Sequence, residues 1–308
     1  MSAKPKDPPS PARWGVDSEF APLREVAVCA PEHLSSSAEP HAGAKTIFAD
    51  KQKRFDPARA KRQHRVLTAT LAGEGATLRW LPLIKSQAAQ TYTRDPFFMT
   101  PWGAVINLMH GENRRAEYVA AIEFCREQKI PIWRMVTDGT VEGGDVHLAK
   151  PGKILIGHSG YWTTEKGALQ VAHWFLEKKW KAKIVYLDPH FLHLDLLFSM
   201  VREDAAIICT EVLSPSVVEQ IVKFLGIRHV VRASYRQATK LLCNVVTLGN
   251  GKLIMHKDPD NSDLIRQLRR IGIRTIELDL SMFVLHGGGP HCLTMPLRRE
   301  MRPTRSLS

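Results

Sequence analysis

Along most of the chain, short apolar runs come in pairs split by a two- or three-residue turn. A stretch with apolar positions at helical spacing follows each pair, and then one more apolar run. The first complete instance predicts strands at 97–100 and 104–108 around a turn at Pro101–Gly103, a helix over 115–128 and a strand over 131–135. The same order recurs over 145–187, 194–231 and 244–278, with hairpin turns at Pro151–Gly152, Arg202–Asp204 and Gly249–Gly251. A last strand is expected to start at Cys292 and lacks partners, whereas the N-terminal part offers a strand at 25–30, a helix over 56–71 ended by Gly73 and Gly75, and a strand at 76–81. The repeat length of about 49 residues falls in the range of radial and solenoid architectures, whose single units cannot bury their own apolar faces. The predicted fold is therefore α/β: a five-bladed α/β propeller of ββαβ modules with pseudo-fivefold symmetry, its ring closed across the two ends of the chain.

Composition changes this picture little. With 308 residues, 44% hydrophobic and 24% charged, the chain can support one large core. It is expected to divide into a disordered tip at 1–12, a single α/β-propeller domain over 13–297 and a basic tail at 298–308. Residues 31–51, without periodicity, are expected to form a long loop near or over the site. The net charge of +12 is scattered, densest over 51–65 and 298–305, and no nucleic-acid-binding motif accompanies it. A solvated face and a basic tail account for it, so nucleic acid is not an expected partner. Five widely spaced cysteines argue against a disulfide framework and for a reducing, cytoplasmic setting. No signal-peptide pattern and no apolar run long enough for a bilayer occur, so no membrane partner is expected.

The repeat collects candidate chemistry. Asp95, Asp145, Asp195, Asn244 and Cys292 stand at the start of the first strand of successive modules, and equivalent positions of a radial repeat face one axis. A central polar pocket follows, with Asp95, Asp195, Asp145 and Asn244 as substrate-binding groups. Cys292 ends the run Leu285-His-Gly-Gly-Gly-Pro-His-Cys292, where a permissive loop becomes a strand. His193 lies two residues from Asp195, on the same side if both are in a strand, and Glu142 opens Glu142-Gly-Gly-Asp145. Cys292, His193 and Glu142 together make a nucleophile, a general acid/base and a group to orient the imidazole. The bland readings stay open: a buried structural Cys292, Asp95 as a turn residue before Pro96, and Glu142 as a strand cap. His190, His193 and Asp195 could also be read as a metal triad, but His190 follows a proline in a turn and no fourth ligand stands nearby. The two remaining carboxylates, Asp95 and Asp195, match a planar guanidinium.

These residues resemble the guanidino-group-modifying enzymes, the amidinotransferase, arginine deiminase and dimethylarginine dimethylaminohydrolase superfamily. The resemblance rests on Thr93-Arg-Asp-Pro96, Glu142-Gly-Gly-Asp145, His193-Leu-Asp195 and Gly287-Gly-Gly-Pro-His-Cys292, which stand in the family's order, and on the opening stretch 13–26. It implies the pentein propeller, Cys292 as nucleophile, His193 as acid/base held by Glu142, and Asp95 and Asp195 as guanidinium ligands. It implies no metal and no organic cofactor. Arg115, or its neighbour Arg114, sits where deiminases hold a substrate carboxylate. Glu142 suits deiminases and dimethylargininases, whereas glycine amidinotransferases tend to carry Asp there. His291 stands where arginine deiminases commonly have Arg, and the chain has no room for their extra helical bundle. The implied activity is hydrolysis of arginine or an N-substituted arginine-like compound to a ureido product such as citrulline. An amidinotransferase and a non-catalytic ligand sensor are the alternatives. The oligomeric state is left open, and a homo-oligomer is compatible with all three.

Overall fold

The computed structural model describes residues 13–34 and 55–301. Five three-stranded sheets form, in the orders β15-β1-β2, β3-β4-β5, β6-β7-β8, β9-β10-β11 and β12-β13-β14. Their strands are β1 Leu23–Val28, β2 Thr77–Trp80, β3 Phe97–Thr100, β4 Gly103–Ile106, β5 Ile132–Met135, β6 Val146–Lys150, β7 Lys153–His158, β8 Lys181–Tyr186, β9 Phe198–Arg202, β10 Ala205–Cys209, β11 His229–Ala233, β12 Val246–Gly249, β13 Lys252–His256, β14 Arg274–Leu278 and β15 Met295–Arg299. In each sheet the first two strands are antiparallel and the third runs parallel to the second, the pattern that a hairpin plus a helical crossover imposes. The expected five ββαβ blades are present.

Ring closure also follows the expectation. β1 pairs antiparallel with β15, setting Val26 opposite Pro296, and parallel with β2, setting Val26 opposite Leu78. The crossover between β1 and β2 ends in helix Pro57–Gly73. Asp56 caps that helix by accepting from the Ala58 and Arg59 amides, and Pro57 supplies a preset φ at its first turn. Helix Pro215–Leu225 uses the same devices, with Ser214 as cap and Gly226 left-handed at its end. The leading strands β3, β6, β9 and β12 are almost wholly buried, while the third strands β2 and β5 are partly exposed. The leading strands therefore line the axis, and the turns that precede them converge on one end of it.

Those turns correct the expected boundaries. The last strand begins at Met295, so Cys292 lies in a turn ahead of it. Gly143–Asp145 and Leu194–Leu196 are short 3-10 helices, and His193 is the residue that caps the second. His193 and Asp195 thus do not share a strand face. The cause is local: Asp145 N–H bonds Glu142 O, Leu196 N–H bonds His193 O and Asn244 N–H bonds Leu241 O, so these three blades enter their axial strands through tight turns.

The boundary drawn before residue 298 also moves. Arg298 and Arg299 belong to β15, and Arg299 is buried with Nη1 on the carbonyls of Ala21 and Thr247. Residues 302–308 of the expected tail, the tip at 1–12 and most of the expected loop over 31–51 lie outside the described residues. Short helices at Tyr235–Thr239 and Ser281–Val284 were not expected, being too brief to show a period. Among the described residues no helix is long and apolar enough to cross a membrane.

Candidate active site

Four of the five blades deliver a charged or nucleophilic side chain to the same end of the axis, and Asn244 comes from the fifth. The His193 ring lies between two carboxylates: Nε2 is 2.9 Å from Glu142 Oε2 and Nδ1 is 3.7 Å from Asp95 Oδ1, all three residues being buried. The other Glu142 oxygen accepts from the His110 amide, at 3.2 Å, so the carboxylate is fixed at both ends. Burial works against a charged imidazole here. Asp95, the Glu142 hydrogen bond and Asp145 outweigh it, and the His193 pKa rises to about 10. His193 is an imidazolium at neutral pH.

Cys292 faces Asp195 and Asn244. Its Sγ lies 3.5 Å from Asp195 Oδ2 and accepts from Asn244 Nδ2 at 3.2 Å. Burial, then the charges of Asp195 and Asp95, push the thiol well above its ordinary range. The resting pair is therefore a thiol and an imidazolium, and an incoming cation is what would favour the thiolate. Burial also opposes a charged Asp195, but the hydrogen bond and charge of His291, with the charge of His193, hold its carboxyl below the usual range. His291 Nδ1 is 2.8 Å from Asp195 Oδ2. Asp195 Oδ1 is buried and has no hydrogen-bond partner among the described residues.

The glycines of this end work mainly by close approach. In the run before Cys292 only Gly287 is left-handed, at φ +86°; a Cβ on Gly288 would lie 2.1 Å from the Tyr92 ring, and one on Gly289 2.7 Å from Asn244 Oδ1. A Cβ on Gly144 would lie 2.5 Å from His193 Nδ1. Gly144→Ala should therefore displace the His193 ring and lower kcat by about 100-fold, the usual scale for a misplaced catalytic group. Unchanged turnover in the purified variant would show that the ring position does not matter.

Three expected substrate-binding residues take other positions. Asp145 Oδ1 accepts from the Leu194 amide at 2.8 Å, so it fixes the turn that carries His193 and Asp195. Burial pushes its carboxyl up to about 6. Asn244 Oδ1 accepts from the amides of His291 and Cys292, at 3.0 and 3.3 Å, and so holds the cysteine turn. Arg115 is exposed, with Nη2 on the His110 carbonyl. Its neighbour Arg114 is the buried one, and its Nη1 bonds Asp95 Oδ2 at 2.7 Å. Its Nε and Nη2 bond both oxygens of Glu117, at 2.9 and 2.8 Å. Helix phase explains the choice, because Arg114 lies three residues before Glu117 on the buried face of helix Glu117–Gln128.

A cleft of about 400 Å³, its open mouth included, reaches this end and is lined by Tyr92, Asp95, Arg114, Leu192, His286 and Cys292 among others. His193, Glu142 and Asp195 are enclosed and do not line it. The histidine metal triad does not form, since His190 is turned to the Tyr235 hydroxyl, 3.2 Å away. Glu19, Arg94 and His147, which the repeat did not single out, are buried beside His291.

A five-bladed ring with a thiol, an imidazolium and carboxylates converging at one end defines a class of α/β propeller suited to chemistry on a cationic, planar group. The comparisons agree. The arginine deiminase family model matches residues 81–228. An uncharacterized Bacillus subtilis protein, YkgA, is 28% identical over 287 residues, covering 92% of this chain and 94% of its own. The arginine deiminase of Mycoplasma capricolum is 26% identical over 255 residues, covering 68% of this chain, which spans 61% of that enzyme's length. Among solved structures, the N-terminal domain of ArgZ, a cyanobacterial arginine dihydrolase, in complex with product superposes with a TM-score of 0.78 at 18% identity, covering 91% of this chain and 99% of that domain. A Pseudomonas aeruginosa DDAH variant in complex with citrulline gives 0.70 at 21%, covering 89% and 99%. The chain is similar in sequence to arginine deiminases and shares its fold with these guanidino-group-modifying enzymes.

Proposed function

We propose that the protein hydrolyses the guanidino group of arginine or an N-substituted arginine-like compound, giving a ureido product and ammonia or an amine. The observation that carries this is the Asp195 carboxylate: one oxygen lies 3.5 Å from the Cys292 sulfur and the other is buried without a partner among the described residues. A guanidinium supplies the N–H donors and the positive charge that such an oxygen calls for, and places its carbon beside the sulfur.

The bound cation favours the Cys292 thiolate, whose proton passes to solvent. Sulfur attacks the guanidinium carbon, and a C–S bond forms. The C–N bond to the leaving group then breaks as His193 delivers its proton to the departing nitrogen. Neutral His193 next takes a proton from water, the hydroxide adds to the same carbon, and expulsion of the thiolate releases the urea. Glu142 keeps the imidazole oriented through both steps. The five cysteines, all unpaired, suit a reducing compartment such as the cytoplasm.

The test is a screen of arginine, N-methylated arginines and agmatine for ureido product, with and without added amine acceptors. Ureido product formed in buffer alone supports hydrolysis; product formed only on amines makes the protein an amidinotransferase; ligand binding without turnover makes it a sensor. Asp195→Asn should raise KM for the best substrate by about 100-fold, the scale of one lost charge-assisted pair. An unchanged KM would remove Asp195 from guanidinium binding.

A further inference from the structure

The guanidine chemistry leaves a second buried group unused. His291 bonds Asp195 through Nδ1, and its other nitrogen, Nε2, lies 3.6 Å from Glu19 Oε2. The His147 ring stacks on His291, with centroids 5.4 Å apart and planes 7° from parallel. One ligand atom from each of Glu19, His147 and His291 lies within 4.8 Å of the others, and all three side chains are buried. His147 is the telling member: it is fully enclosed, and neither ring nitrogen has a hydrogen-bond partner among the described residues. Buried polar atoms left so are few in native proteins and call for an explanation.

We propose that Glu19, His147 and His291 bind a divalent ion of the zinc class. Two imidazoles and one carboxylate are a known three-ligand set for that ion, with water in the fourth position. Ligand atoms about 2.0–2.1 Å from a tetrahedral ion stand about 3.4 Å apart, close to the Glu19–His291 separation. The outer partner is already in place. Asp195 Oδ2 accepts a hydrogen bond from His291 Nδ1–H, which leaves Nε2 as the metal-facing atom, the carboxylate–histidine–metal arrangement that orients ligating imidazoles. Arg94 is the opposing charge; its Nη1 lies 3.7 Å from Glu19 Oε1, the oxygen turned away from His291. Glu19 and Arg94 also line a second cavity, with Phe98, Met99 and Met295.

The test uses the full chain stripped of metal and titrated with Zn²⁺ against a chromophoric chelator. It is run in a Cys292→Ser background, because the sulfur and the neighbouring Asp95, Glu142 and His193 could also take an ion. One Zn²⁺ per chain should bind in that background and raise the midpoint of thermal unfolding. His147→Phe, which keeps a ring in the stack, should weaken binding by about 100-fold or more, whereas His193→Asn should leave it unchanged. Co²⁺ should give visible bands without a thiolate charge-transfer band. Absence of stoichiometric binding in Cys292→Ser, or full affinity in His147→Phe, overturns the site. Should His147→Phe not fold, Glu19→Gln decides in the same way, with full affinity again overturning it. None of these readouts depends on turnover of a guanidine, so this site and the proposed hydrolysis stand or fall separately.

Discussion

Cys292→Ala is expected to reduce ureido product formation by about 10⁵-fold or more while leaving guanidine binding within a few-fold of the parent. The two effects separate because the sulfur and the cation-binding oxygens belong to different blades. Asp195 is held by His291 at 2.8 Å and Asp95 by Arg114 at 2.7 Å, so removing the thiol withdraws neither carboxylate. The turn that carries residue 292 keeps its backbone bonds to Asn244 Oδ1 in the variant. Calorimetry with a non-reactive guanidine and a colorimetric assay for ureido product measure the two quantities independently. Turnover within tenfold of the parent would end the role of Cys292 as nucleophile, and lost binding would mean that the sulfur, not the carboxylates, holds the ligand.

His193→Asn is the second large effect. Losing a general acid that later acts as base should lower kcat by about 10³–10⁴-fold. The pH dependence gives a signature beyond the loss itself. Burial is outweighed by Asp95, Glu142 and Asp145, so the folded-state pKa stands at about 10, above the ordinary 6.5. The imidazolium therefore contributes stability that is fully present below about pH 6.5 and is lost as pH rises through about 10. Urea midpoints of the parent should fall across that window, and those of His193→Asn should fall less. Parallel midpoint-against-pH curves would show that the imidazole is not held charged by its neighbours.

The blade count was legible because each hairpin announces itself twice, by apolar runs and by a Pro, Gly or Asp turn, and the helices by their spacing. The residues that convene at the axis were legible in part for the same reason, since one period carries Asp95 to Asp145, Asp195, Asn244 and Cys292. What each side chain faces was not. A one-turn 3-10 segment leaves no periodic trace, so His193 and Asp195 looked like strand neighbours. Asp145 Oδ1 and Asn244 Oδ1 are spent on backbone amides of adjacent turns, a use that depends on which loop packs beside them. Arg114 could have been chosen over Arg115 by carrying the helix phase back from Ala120 and Phe124. Glu19, Arg94 and His147 stand far apart along the sequence and meet only when the ring shuts, and nothing in the repeat marks them.

The first blade is woven from segments far apart in sequence, β15 beside β1 and β2. During synthesis the cysteine turn therefore leaves the ribosome after the strands of the other four blades, which can stack before it emerges. Until β15 docks, the nascent protein holds the axial carboxylates and imidazole without the Cys292 sulfur beside them. Completion of the first blade, and with it of the axial cluster, therefore waits on a strand made after all the others.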